Sequence, residues 1–196
     1  MRILLDVDGV IADFTGAYIE IYKRMGGRVP GTWAWDTWDA MDRLPDQMVA
    51  KAVWDHPDLF SVPVLYWGAR KQIAHLHDRH DLFFATALPH RHVEARSNWF
   101  KSQLPFIHRK NQIVFTPQKY LVKGDVLVED NTEYLAAWIR EYPDSVGILI
   151  RHQYNEDRGS LVGLRYLSAA NLEEVVGMIE VFSLTGDNFT GKYATI

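Results

Sequence analysis

The chain alternates short apolar blocks with longer stretches in which apolar residues recur every three or four positions. The blocks, bounded by turn-forming residues, read as buried strands, and the periodic stretches read as amphipathic helices. Ile3-Leu4-Leu5-Asp6-Val7 is the first strand, ended by Gly9, and Ile11 to Met25 then carries helical spacing until Gly26-Gly27 stops it. Further strands are predicted at Leu82–Ala85, Ile113–Phe115, Val126–Val128 and Val146–Ile150, with helices at Ala69–Arg79, His92–Gln103, Thr132–Glu141 and Asn171–Val181. Buried strands that alternate with helices predict an α/β fold, a parallel sheet covered by helices on both faces.

Residues 26–66 break the pattern. They contain no buried strand of that kind, but they hold Trp33, Trp35, Trp38 and Trp54 and a predicted helix over Pro45–Trp54. This segment reads as a small helical cap inserted into a core formed by residues 1–25 and 67–184. Its place after the first strand–helix unit would put it over the carboxyl ends of the strands, where open α/β sheets bind ligands. Residues 185–196 are polar and contain glycine, and they are expected to form a peripheral tail.

Composition narrows the chemistry. The 196 residues are 47% hydrophobic and 23% charged, which is ordinary for a globular protein. The net charge of −4, with no long basic block, argues against a stable nucleic-acid partner and asks for a local positive site if the substrate is anionic. With no cysteine, disulfides and thiolate metal sites are excluded. No apolar run reaches the roughly 18–20 residues needed to span a membrane, and Arg2-Ile3-Leu4-Leu5 lacks a signal-peptide layout, so a cytoplasmic setting is expected. A homodimer is left open.

Four elements carry candidate chemistry. In Asp6-Val7-Asp8-Gly9-Val10 two carboxylates, two residues apart at a strand's end, point to the same side and repel unless a cation or proton intervenes. A solvated Asp-x-Asp-Gly turn is the structural alternative, but here the pair follows an apolar run. Phe83-Phe84-Ala85-Thr86-Ala87 ends a strand with a hydroxyl able to hold a phosphate oxygen, though such a residue often only completes a turn. Thr116-Pro117-Gln118-Lys119 offers a cation, with Lys123 as a rival. Asp125-Val126-Leu127-Val128-Glu129-Asp130-Asn131 delivers two acids to the end of another strand. The histidines show no paired metal-ligand pattern, which disfavours zinc.

In that order these elements resemble the haloacid dehalogenase superfamily of phosphatases. Asp6 through Phe14, Phe60 to Ala69, Asn98-Trp99-Phe100 and Gln112 to Lys119 look most like its 5′(3′)-deoxyribonucleotidase family. Two positions depart from that pattern: Ala87 stands where a second hydroxyl is usual, and Glu129-Asp130 where two Asp are frequent. The resemblance implies a Rossmann-like core and a Mg²⁺-dependent phosphomonoesterase. In it Asp6 is the nucleophile, Asp8 the acid and base, Thr86 a hydrogen-bond donor to a phosphate oxygen and Lys119 the neutralising cation. Asp6, Asp8 through its backbone carbonyl, and Asp130 would hold the metal. Glu129 would either orient a metal-bound water or cap a helix.

The implied substrate is a small phosphate ester, a nucleoside monophosphate and in particular a deoxyribonucleotide. Phe14, Trp33, Trp35 and Ala87 are the expected substrate contacts, with Trp38 a further stacking candidate, although clustered tryptophans also build the core of a small cap. A sugar phosphate is the rival substrate, and a non-catalytic binding protein of the same fold is the rival class. The first strand-to-helix turn lacks the glycine fingerprint of dinucleotide binding.

Overall fold

The computed structural model describes residues 1–108, 112–156 and 159–185. The expected peripheral tail therefore lies, apart from Thr185, outside the described residues. In chain order the elements are β1 (Arg2–Leu5), β2 (Ala12–Asp13), α1 (Phe14–Arg24), α2 (Gln47–Val53), β3 (Val64–Leu65), α3 (Ala69–Arg79) and β4 (Asp81–Thr86). They continue with α4 (Val93–Gln103), α5 (Pro105–His108), β5 (Ile113–Phe115), β6 (Val126–Glu129), α6 (Thr132–Glu141), β7 (Val146–Ile150), β8 (Leu167–Ala169) and α7 (Leu172–Thr185). Short 3₁₀ turns occur at Ala40–Arg43, His90–His92, Lys119–Leu121, Gln153–Asn155 and Gly159–Leu161.

Six strands form one sheet in the order β5-β4-β1-β6-β7-β8, with every neighbouring pair parallel. The α/β fold expected from the apolar blocks is the fold observed. Alternate residues of each strand face opposite sides. Ile3, Leu5, Val126, Val128, Ile148 and Ile150 join a cluster with Ile73 of α3, Trp99 and Phe100 of α4, and Val175 and Ile179 of α7. Leu4, Leu127 and Leu149 point the other way, onto Leu135, Trp138 and Ile139 of α6. Both faces are thus covered, which is why the strands read as continuous apolar runs.

The chain leaves β1 toward β4 and β5, then returns to place β6 on the other flank of β1. Strand order reverses at β1, and at such a point the loops diverge and open a crevice above the carboxyl ends of the strands. Asp6 follows β1, Thr86 ends β4 and Glu129 ends β6. One topological feature gathers three of the sequence motifs.

Two differences from expectation have local causes. Helix α1 begins at Phe14 and not at Ile11, because Ala12 and Asp13 pair antiparallel with Val64 and Leu65 as the insertion returns. The Asp13 carboxylate then caps α1 by accepting from Gly16 N at 2.8 Å. Strand β8 has only three residues and an unremarkable sequence, and it is specified by pairing with β7.

The hydrophobic cluster of the insertion includes Tyr18, Ile21 and Tyr22 of α1 together with Leu44, Ala50, Val53, Leu59 and Phe60. Tyr18 donates to Ala50 O at 2.7 Å. α1 therefore packs with the insertion, and a division of the chain at residue 26 would cut through this cluster. The physical reason is that α1 turns its apolar stripe toward the insertion, so that the stripe is covered by 44–60 and not by the sheet.

Leu127 is fully buried in the central strand β6. Leu127→Ala is expected to lower the unfolding free energy by about 2–5 kcal/mol, the range for large-to-small changes that leave a core cavity. Urea denaturation checks this, with a lower midpoint at an unchanged slope.

Candidate active site

At the carboxyl ends of β1 and β6 the structure brings together Asp6, Lys119, Glu129 and Asp130, all buried. Lys119 Nζ lies 2.8 Å from Asp6 Oδ1 and 2.5 Å from Glu129 Oε2. Lys119 stands in a 3₁₀ turn and is 1% exposed, whereas Lys123 is exposed, so Lys119 is the lysine of the site. Burial pulls the Lys119 ammonium toward neutrality, but the Asp6 and Glu129 carboxylates outweigh it and hold its pKa above the ordinary lysine value.

Glu129 divides its two oxygens between Lys119 and the backbone that leads into α6. One oxygen binds Lys119, and the other accepts from the backbone N–H of Asp130 and Asn131 at 3.2 and 3.0 Å. The capping of α6 falls to Asn131, whose Oδ1 accepts from Glu133 N and Tyr134 N at 3.0 Å each. Asp130 is left free to face the site. Burial, then the charge of Asp6, pushes Glu129 up to about 7 against the pull of Lys119. Burial, Glu129 and Asp6 raise Asp130 well above the usual carboxylate range.

One carboxylate oxygen from each of Asp6, Glu129 and Asp130 lies within 4.8 Å of the others. A buried, oxygen-only set carrying excess negative charge fits a hard divalent cation of the magnesium type. The Asp8 carboxylate stands outside this cluster.

Asp8 is bound instead by a residue that the sequence motifs did not single out. Arg96 Nη2 donates to both Asp8 oxygens, at 2.6 and 2.8 Å. Arg96 is fully buried on α4, with its guanidinium 5.3 Å from the Phe60 ring centroid and 5.2 Å from that of Trp99. A signal was present in the sequence: Arg96 sits one turn before Trp99 and Phe100, on the helix face that carries the apolar stripe. Burial pushes the Asp8 carboxyl toward its neutral form, and Arg96 pulls it back; the balance leaves it above its ordinary value. A carboxyl poised in this way suits a group that must both release and recover a proton.

Thr86 is fully covered, and its hydroxyl has no hydrogen-bond partner among the described residues. A buried hydroxyl of this kind is costly unless something in the working state engages it. Thr86 does not line the adjoining cavity, whereas Ala87 does.

That cavity holds about 240 Å³ and runs from Asp6, Asp8, Lys119 and Asp130 up to a wall of Phe14, Trp35, Trp38, Met41, Trp54 and Phe60. Phe14 rests against Trp54 and Phe60, with ring centroids 5.7 and 5.6 Å apart. Of the expected contacts, Phe14, Trp35 and Ala87 reach the cavity and Trp33 does not. Trp33 packs edge-on behind Trp35 and spends its indole N–H on Ala40 O at 2.8 Å. Trp38 and Trp54 line the wall in its place.

Gly9 adopts φ +75°, and a Cβ there would meet Asp130 Oδ2 at 2.0 Å and Tyr154 Oη at 2.6 Å. Gly9→Ala is therefore expected to displace Asp130, weakening Mg²⁺ binding at least tenfold while the far-UV spectrum is kept. Calorimetric titration of the protein with Mg²⁺ reads the effect.

Comparison with known proteins places this geometry in context. Residues 1–181 match the family model described as 5′ nucleotidase, deoxy (pyrimidine), cytosolic type C protein. A haloacid dehalogenase-like family hydrolase from Streptococcus pneumoniae superposes with a TM-score of 0.58 at 13% identity, covering 91% of this chain and 97% of its own. A hydrolase from Pseudomonas syringae gives 0.57 at 13% identity, with 92% and 98% covered. A haloacid dehalogenase-like family hydrolase from Xanthomonas campestris gives 0.53 at 11% identity, with 94% and 92% covered. A comparison with curated protein sequences finds no match. No helix among the described residues is long and apolar enough to cross a membrane. With the family model matched over residues 1–181 and the fold shared with haloacid dehalogenase-like hydrolases, the chain belongs to the cytosolic type C 5′(deoxy)nucleotidase family.

Proposed function

We propose that this protein is a Mg²⁺-dependent phosphomonoesterase that hydrolyses nucleoside 5′- or 3′-monophosphates, deoxyribonucleotides above all, through a phosphorylated Asp6. The observation that carries the reading is the convergence of Asp6, Lys119 and Asp130 at the floor of a cavity whose upper wall is aromatic. The floor is suited to a phosphoryl group and the wall to a flat base.

Asp6 Oδ attacks phosphorus, and Asp8 gives a proton to the departing alkoxide. Asp8 then takes a proton from the water that cleaves the aspartyl-phosphate, which returns Asp6 and releases phosphate. In the structure Asp8 is held by Arg96, so the proton transfers need this pair to loosen or to share the carboxylate with the substrate. Lys119 neutralises charge passing between Asp6 and the phosphoryl group, and the unpartnered Thr86 hydroxyl, behind the cavity lining, is the one hydroxyl that β4 carries. Bound Mg²⁺, held by Asp6, Asp130 and the Asp8 carbonyl, would supply charge neutralisation for the phosphoryl oxygens. Glu129 serves by fixing Lys119 and the turn that presents Asp130.

The wall residues Phe14, Trp35, Trp38, Met41, Trp54 and Phe60 include no charged side chain. Stacking and shape would then decide which base is accepted. The family description names a cytosolic type, which supports a cytoplasmic setting.

Phosphate release from 5′- and 3′-deoxyribonucleotides, ribonucleotides and sugar phosphates tests the reading. The expected result is Mg²⁺-dependent release favouring deoxyribonucleotides, falling by at least about 10³-fold in Asp6→Asn, since a catalytic nucleophile is removed. Preference for sugar phosphates would keep the chemistry and remove the nucleotide assignment. Silence across the panel would overturn the enzyme reading in favour of a binding protein.

A further inference from the structure

Tyr154 stands where the core and the insertion meet above the metal cluster. It lies in the 3₁₀ turn Gln153–Asn155 after β7, and its hydroxyl donates to Asp130 Oδ2 at 2.6 Å. One face of its ring stacks on His152, with centroids 4.7 Å apart and planes 11° apart, and His152 Nε2 is bonded to Gly9 O at 2.6 Å. Asn155 Nδ2 donates to Asp130 O and Ile150 O, at 2.8 Å each. The turn is therefore clamped to both of the loops that carry acids of the site.

The other neighbour of the ring comes from the insertion. Trp38 meets Tyr154 edge-on at 4.8 Å, and both residues line the cavity. Trp38 is 44% exposed, so it is held by few neighbours besides this one, and an occupant of the cavity would touch it directly. Burial and the Asp130 charge raise the Tyr154 pKa, which keeps the phenol protonated and hence a donor to that carboxylate.

We infer that Tyr154 is a positioning residue for the metal ligand Asp130, and that its contact with Trp38 couples the insertion to the metal site. Asp130 has two carboxylate oxygens; Tyr154 engages Oδ2 and so restricts rotation of a carboxylate that belongs to the cluster with Asp6 and Glu129. Partners of this kind around a metal ligand set its orientation and basicity, and their loss typically costs about 10–100-fold in metal affinity. Because Trp38 limits where the Tyr154 ring can sit, a change in the insertion reaches Asp130 through a single hydroxyl. By reciprocity, an occupant that settles Trp38 tightens metal binding by the factor that metal tightens the occupant. This rests on the reading of Asp6 and Asp130 as Mg²⁺ ligands.

The test is calorimetric titration of the full chain with Mg²⁺, without substrate, on the parent, Tyr154→Phe, Trp38→Ala and the double variant. Tyr154→Phe keeps the ring on His152 and removes only the hydroxyl. The expected result is Mg²⁺ affinity weakened about tenfold or more, with the Mg²⁺ concentration for half-maximal phosphate release rising in step and kcat at saturating Mg²⁺ changing far less. Trp38→Ala is expected to weaken Mg²⁺ binding in the parent and to add nothing in the Tyr154→Phe background. If Trp38→Ala unsettles the insertion, Trp38→Leu carries the same comparison. Parental affinity in Tyr154→Phe overturns the positioning role, and an equal effect of Trp38→Ala in both backgrounds overturns the coupling. Absence of Mg²⁺ binding by the parent removes the metal reading, and this inference falls with it.

Discussion

The buried carboxylates of Asp6, Glu129 and Asp130 offer oxygens within 4.8 Å of one another, and Lys119 is the ammonium set between two of them. Two like charges about 4 Å apart repel by about 4 kcal/mol even at an effective dielectric of 20. One lysine cannot settle three such groups. Burial first, and the neighbouring carboxylates after it, raise Glu129 to about 7 and Asp130 well above its usual range. A divalent cation would relieve the same repulsion without adding protons, and the buried acidic cluster offers oxygens suited to one. The reversal of strand order at β1 serves this cluster by bringing Asp6 beside the acids that end β6.

The insertion solves a different problem. A charged floor open to water would bind a phosphate weakly and would not distinguish one ester from another. The aromatic residues of the insertion and α1 close over it, and they are held by their own cluster around Tyr18, Tyr22, Val53 and Phe60. That cluster is separate from the two that cover the sheet. Because β2 and β3 tie both ends of the insertion together, it is anchored beside the Asp6–Asp8 loop. The acidic floor and the aromatic wall are thus built on different packing units that meet at the cavity.

Arg96 shows how the two are joined. Its guanidinium is buried between Phe60 of the insertion cluster and Trp99 of the sheet cluster, and it ends on Asp8. A buried guanidinium without its carboxylate would be left with an uncompensated charge, a loss of about 3–5 kcal/mol. Asp8 is therefore held in place by packing as much as by charge. Tyr154 donates to Asp130 Oδ2, while His152 is bonded to the Gly9 carbonyl.

The sequence by itself determined the elements and the chemical kit. Strands Ile113–Phe115 and Val146–Ile150 and helices Ala69–Arg79 and Thr132–Glu141 are legible residue for residue, because local apolar period and turn chemistry act within a few positions. Asp6, Asp8, Thr86 and Asp130 were likewise visible at strand ends, and Lys119 in the run Thr116-Pro117-Gln118-Lys119 between them. What tertiary structure decided was every relation that depends on distant segments. Helix α1 joins the insertion, Trp54 lines the cavity and Trp33 does not, Glu129 holds Lys119, and Arg96 and Tyr154 grip the acids from 88 and 24 residues away. Periodicity says which face of an element is apolar. It does not say what that face will meet, and contacts of long sequence separation are set only when the whole chain closes on its cores.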